Sequence, residues 1–197
     1  MTKRTRRRSV DDVRCDICAS TAIESAPQAK HLLPQLITRL EARGMRFRKK
    51  TFRLEVLDRA EFMSRDGRRD PLGLTTTTRY MRNNKLDRIE IGSVAILQGL
   101  PHTLFEGVVV HELGHVWLAQ HKVIGLPAIE EEGFCELIAH HHFTTIGSKV
   151  DLYHAKRIAE NSNPIYGDGF RKLKRLEKRV GFEQIVRSLQ RKKRLPL

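Results

Sequence analysis

His111-Glu112-Leu113-Gly114-His115 lies inside a nearly continuous apolar stretch, with Val108-Val109-Val110 before it and Val116-Trp117-Leu118 after it. Two histidines four apart can serve one ion only on a helix, where their imidazoles sit about 40° apart around the axis. This requirement and the apolar flanks predict one buried helix near residues 103–121. Glu112 falls one step round, where a carboxylate can take a proton from metal-bound water and later deliver it to a leaving amine. Thr103-Leu104-Phe105-Glu106, just after Pro101, reads as a capping box for the helix start. Gly114 costs roughly 1 kcal/mol of helix propensity against alanine. It points to a close approach by another backbone.

Five letters with three fixed are common, so the third ligand carries the weight. An H-E-x-x-H-x-x-G-x-x-H pattern would need glycine at 118, and the residue there is Leu118. On a continuing helix His121 would point about 80° from His111, which predicts a surface residue near the helix end. No methionine follows Met81, so no Met-turn is available. The alternative is a carboxylate from the next helix, giving two histidines, a glutamate and water. Glu130-Glu131-Glu132-Gly133-Phe134-Cys135-Glu136 offers one after Pro127, at a helix start whose dipole also favours acids. Glu136, one turn on, could orient a ligating histidine. Cys135 reads as a small buried apolar residue.

The rest of the chain predicts an α+β domain: a small, mostly antiparallel sheet, then the motif-bearing helix and C-terminal helices. Leu32, Leu33, Leu36, Ile37 and Leu40 mark an amphipathic helix over 28–43, with Pro34 in its first turns and Gly44 as its stop. Phe52, Leu54 and Val56 alternate with polar residues as in a half-buried strand. Residues 66–73 read as a loop. Thr75–Arg82 and Leu86–Ile91 flank a hairpin turn at Asn83-Asn84-Lys85, and Ser93–Leu97 forms another apolar run. Three further helices are expected near 129–145, 150–162 and 170–191.

The net charge is +14. Residues 1–10 carry five bases and no acids, and residues 171–197 carry eleven bases and two acids, so the body between them is neutral. Within it, residues 101–170 hold four bases and nine acids, a hint of tolerance for basic substrates. Residues 1–14 are expected to be a flexible basic arm ahead of a domain over 15–196. The basic ends are candidates for non-specific contact with nucleic acid or an acidic partner. No apolar run approaches the ~18–20 residues of a membrane helix, so no membrane partner is expected. Three cysteines without framework spacing suit a reducing, cytoplasmic compartment.

Several ordered segments make the sequence similar to a known family. Gly99-Leu100-Pro101 precedes the helix that carries HELGHVWL (111–118), and Glu131-Glu132-Gly133-Phe134-Cys135 and Ala139-His140 come after it. Pro164-Ile165-Tyr166-Gly167-Asp168-Gly169-Phe170-Arg171 is the most specific segment. A looser likeness extends to Cys15 and to Leu195-Pro196. Together they resemble the peptidase domain of the plant LIM-domain, ubiquitin-activated growth regulators of the DA-one type and their bacterial relatives.

That resemblance implies a zinc-dependent endopeptidase of gluzincin-like fold acting on a protein or peptide. It carries over one catalytic Zn2+, His111 and His115 as ligands with a glutamate of the EEG segment, and Glu112 as general base. In gluzincins the ligand is the glutamate before a glycine, here Glu132, with Glu131 left as the alternative. His140 and Asp168 become candidates to support the ligands from behind. Of the three consecutive histidines at 140–142 at most one can face a site. Tyr153, His154 and Tyr166 are candidate oxyanion donors. Plant members carry LIM zinc modules and ubiquitin-binding motifs upstream. Here only Cys15-Asp16-Ile17-Cys18 stands in that position, half a tetrahedral zinc site with His31 as a third donor and no fourth. Neither a second, structural zinc nor ubiquitin dependence is therefore expected.

Substrate is expected along an exposed strand drawn from residues 88–97. Two other readings share parts of the pattern. A DNA-associated, SprT-like metalloprotease would join H-E-x-x-H to basic ends but calls for a third histidine and C-terminal cysteines. A nucleic-acid-binding protein with an incidental metal site would use the basic ends alone.

Overall fold

The computed structural model describes residues 15–66 and 72–196. The expected arm at 1–14 and most of the expected loop at 66–73 lie outside them. The elements run α1 (Asp16–Ser20), β1 (Ala22–Ile23), α2 (Ala26–Lys30), α3 (Leu32–Ala42), β2 (Leu54–Leu57), α4 (Arg59–Asp66), β3 (Gly73–Arg82), β4 (Lys85–Leu97) and β5 (Leu100–Pro101). The helices α5 (His102–Gln120), α6 (Ala128–Ile146), α7 (Lys149–Ala159), α8 (Tyr166–Val180) and α9 (Phe182–Lys192) complete the chain. This is the expected α+β order. No helix among the described residues is long and apolar enough to cross a membrane.

The main sheet has the order β2-β4-β3, with β3 antiparallel and β2 parallel to β4. β1 and β5 form a separate antiparallel pair. The β3–β4 turn is the one expected: Asn83 and Asn84 both take positive φ, 50° and 57°, as a two-residue hairpin requires. Residues 86–91 and 93–97 belong to one strand, β4. Only Val94–Leu97 of that strand are paired on both sides, so the substrate edge expected from 88–97 is closed there, while residues 88–93 pair with β3 alone. Among the described residues β2 and β3 are the outer strands of this sheet.

α5 is apolar on every side, with Phe105, Val110, Leu113, Val116 and Trp117 almost wholly buried. A helix of that kind belongs in a core, and α5 packs against β3 and β4 on one side and α6 on the other. Each large apolar side chain buried there contributes about 1.5–3 kcal/mol. The expected capping box is absent. The helix starts at His102, with Pro101 rather than Thr103 in the cap position, and the His102 N–H donates to the Thr21 carbonyl at 3.0 Å. Glu106 is drawn inward instead, 3.4 Å from His142 of α6.

The helix expected over 28–43 is two. Pro34 lacks an N–H and its ring crowds the carbonyl four residues back, so the chain breaks at His31 between α2 and α3. The helix expected over 170–191 is also two, parted at Gly181 with φ 81°. Its first half begins earlier, at Tyr166, because the Asn163 side chain accepts from the Ile165 and Tyr166 N–H groups at 2.9 and 3.1 Å. α8 crosses α6 at two glycines. A Cβ on Gly133 would lie 2.5 Å from the Gly169 backbone, and one on Gly169 would lie 2.4 Å from the Ile129 carbonyl oxygen. This close crossing sets the first turn of α8 beside the histidines of α5.

Candidate metal centre

α5 presents His111 and His115 on one face, their ring centroids 5.2 Å apart. The first turns of α6 meet them with acids. Glu132 Oε2 lies 3.2 Å from His111 Nε2 and 3.4 Å from His115 Nε2. The other nitrogens have carboxylates of their own: Glu136 is 3.4 Å from His111 Nδ1, and Glu131 is 3.1 Å from His115 Nδ1. Burial alone would push both imidazoles down. Glu132 and Glu136 at His111, and Cys135, Glu131 and Glu132 at His115, outweigh it and hold both well above the usual histidine range. Burial likewise opposes ionisation of Glu132, yet the two imidazoles hold its carboxyl far below the usual range. The cluster thus holds protons where a divalent cation would replace them.

Cys135 also reaches this site. Its thiol and the nitrogens of His111 and His115 offer ligand atoms within 4.8 Å of one another. The sequence marked it as buried, which it is. Its place beside the imidazoles was missed, although the three-residue spacing from Glu132 already put both on one helix face. Gly114 makes the room, since a Cβ there would lie 2.8 Å from the Cys135 sulfur. Two donor sets therefore overlap, two imidazoles with a carboxylate or with a thiol. Burial pushes the Cys135 thiol up, away from the thiolate that binds metal, so the carboxylate set is the better furnished. Imidazole and carboxylate donors at such a site suit zinc.

Glu112 is buried against β3. The Thr75 hydroxyl donates to Glu112 Oε2 at 2.7 Å, and a Cβ on Gly73 would lie 2.5 Å from Glu112 Oε1. A cleft of about 920 Å³ opens beside this point. Gly73, Thr75 and Arg79 of β3, Ile158 of α7 and Tyr166 of α8 are among the residues that line it.

The remaining candidates separate. The Tyr166 ring lies 6.3 Å from that of His111 and lines the cleft. His154 also lines it, but its ring stacks on Phe143 at 5.3 Å, and burial with help from Arg157 pushes its pKa down. Tyr153 is 59% exposed and does not line the cleft. His140 packs on Phe170 at 4.8 Å. None of the histidines at 140–142 lines the cleft. Asp168 turns away and pairs with Arg171 at 2.5 Å, so it fixes the start of α8 rather than a ligand. His121 is not the surface residue expected. It is 7% exposed and stacks on Trp117, with its Nδ1 2.9 Å from the Trp117 carbonyl oxygen. Cys15 and Cys18 are free thiols at α1, with the Cys18 N–H directed at the Cys15 sulfur.

Residues 41–148 match the family described as Protein DA1 (DA1-like). Protein DA1 of Arabidopsis thaliana is 24% identical over 55% of this chain and 26% of its own length. DA1-related 7 of the same plant is 25% identical over 51% of this chain and 24% of its own length. DA1-related 1 is 38% identical over a shorter segment, 27% of this chain and 10% of that protein. The chain thus spans about a quarter or less of each of these relatives. No solved structure matches it significantly.

Proposed function

The chain belongs to the DA1-like family, and from that premise we propose that it is a zinc-dependent endopeptidase of gluzincin type, with Glu112 as general base. The observation that carries the reading is the convergence of His111 Nε2 and His115 Nε2 on one oxygen of Glu132. It favours Glu132 over Glu131 as third ligand. Glu131 and Glu136 then hold the outer nitrogens of His115 and His111, which fixes ring orientation and raises ligand basicity. A bound zinc ion supplies Lewis acidity and lowers the pKa of the attacking water.

The protein's own residues do the rest. Glu112 accepts the water proton and returns it to the leaving amine. Thr75 holds the Glu112 carboxylate through one oxygen and leaves the other for this transfer. Tyr166 is the best-placed donor to the developing oxyanion, because it alone of the three candidates both lines the cleft and lies next to a ligating ring. The outer edge of β3 offers main-chain groups to an extended peptide. Cys135 gives a second version of the ligand set, favoured by its place in the histidine cluster.

Zinc content and cleavage of an unfolded protein test the proposal together. Glu112→Gln is expected to keep one zinc per chain and lose cleavage. Glu132→Gln is expected to lose zinc, and Cys135→Ser to keep it. Wild-type protein with much less than one zinc per chain contradicts the reading.

A further inference from the structure

The charge of this chain is not confined to its ends as loose tails. Two basic runs far apart in sequence, Arg46-Phe47-Arg48-Lys49-Lys50 and Arg191-Lys192-Lys193-Arg194, are fastened to the same spot, the C-terminal end of α5. Gln120 holds the first run. Its side-chain oxygen accepts from the Arg48 and Lys49 N–H groups at 2.8 and 3.3 Å, and its amide donates to the Lys49 carbonyl at 2.8 Å. Lys193 holds the second run by donating to the His121 carbonyl at 2.7 Å. Buried Leu195 and the bond from the Ser188 hydroxyl to the Arg194 carbonyl anchor the far side of that run. Lys122, next in the chain to His121, takes a left-handed conformation with φ 53° and lies near enough to Lys193 to act on its charge.

Helix capping accounts for only part of this. Cations near a helix C-terminus stabilise it, and Lys193 does so. Lys122 donates elsewhere, to the Asp87 carbonyl. Arg48, Lys49, Lys192 and Arg194 make no ion pair among the described residues, and all four are exposed. The crowding registers electrostatically: burial, then Arg48 and Lys122, depress the Lys193 pKa. Like charges held this close repel unless an anion sits among them.

We infer that this face, Arg48, Lys49, Lys122, Lys192, Lys193 and Arg194, docks the phosphate backbone of nucleic acid without reading its sequence. Phosphate contacts need only positioned cations and give salt-dependent, sequence-independent affinity. An acidic protein segment would want apolar anchors as well. The large exposed apolar side chains lie elsewhere, and Ile124, nearest in sequence, lines the cleft. The inference is independent of the peptidase proposal, since none of these residues touches the metal cluster.

The test is fluorescence titration of the full chain with a labelled DNA duplex across a salt series. Six phosphate contacts predict a log–log slope of about −5. Arg48→Glu with Lys122→Glu, both exposed and remote from the core, is expected to weaken binding at least tenfold and flatten the slope. Circular dichroism checks that this variant stays folded, and Lys49→Glu with Lys192→Glu gives an independent second variant. Neutralising Arg4, Arg6, Arg7 and Arg8 is expected to leave most of the binding. The inference is overturned by an absence of duplex binding, by binding that depends on the first ten residues alone, or by poly-glutamate of matched charge binding as tightly as DNA.

Discussion

Gly169→Ala sets two physical effects against each other. In an ordinary helix the change would stabilise the protein by about 1 kcal/mol through helix propensity. Here the added Cβ would lie 2.4 Å from the Ile129 carbonyl oxygen and 3.0 Å from the Gly133 Cα. Both obstacles are backbone, so no side chain can swing aside and α8 must move off α6. Overpacking of this kind costs about 1–3 kcal/mol, and a backbone clash belongs at or above the top of that range. The net expectation is a loss of about 2 kcal/mol, which for a chain of this size lowers Tm by about 4–8 °C. α8 also carries Tyr166 and none of the proposed ligands. Cleavage should therefore fall while zinc content stays at one per chain. Thermal unfolding with zinc analysis on the same sample reads both. An unchanged or raised Tm would refute the close crossing, and lost zinc would refute the division of labour between α6 and α8.

The same geometry predicts other outcomes. Thr75→Val removes the hydroxyl that holds Glu112 and should lower kcat about tenfold or more, as expected for a hydrogen bond to a charged group, with zinc content unchanged. Glu131→Gln should weaken zinc binding about 10–100-fold by freeing one side of His115, less than Glu132→Gln does, in a competition titration with a chelating dye. The Arg43 guanidinium donates to His141 Nδ1 at 2.9 Å, which requires a neutral ring, and burial, reinforced by Arg43 against the pull of Glu177, pushes its pKa down to about 4. Its folded value lies below the unfolded ~6.5, so the unfolded chain binds the extra proton. Stability then falls as pH falls through that window, by about 3 kcal/mol at most. Urea midpoints at pH 7 and pH 5 should drop more for wild type than for His141→Gln.

Much of the centre was legible because its residues sit at helical spacings. The four-residue interval of His111 and His115 and the acids at the start of α6 require only that both segments be helices, and both are. The hairpin at Asn83-Asn84 was legible for a similar reason, since few residues other than these tolerate its dihedrals. What stayed hidden depends on contacts between distant segments. Nothing local shows which part of β4 is covered; only the parallel pairing of β2 with Val94–Leu97 closes that part of its edge. His121 looks exposed by helical phase, yet Trp117 and Lys193 cover it. Nothing in the local sequence marks Gly169 as a packing residue within α8, and only the crossing partner Gly133 reveals it. The basic runs at 46–50 and 191–194 become one surface because Gln120 and Lys193 bring them together.

The central claim is metal-dependent peptide hydrolysis by His111, Glu112, His115 and Glu132. The most direct test counts new amino termini released from an unfolded protein by the native chain, by the chain stripped with a chelator, and by the stripped chain given one equivalent of zinc. The expected result is release, its loss on stripping and its return with zinc, with Glu112→Gln inactive throughout. Release that survives stripping, release that persists in Glu112→Gln, or none from the zinc-replete chain would contradict the account.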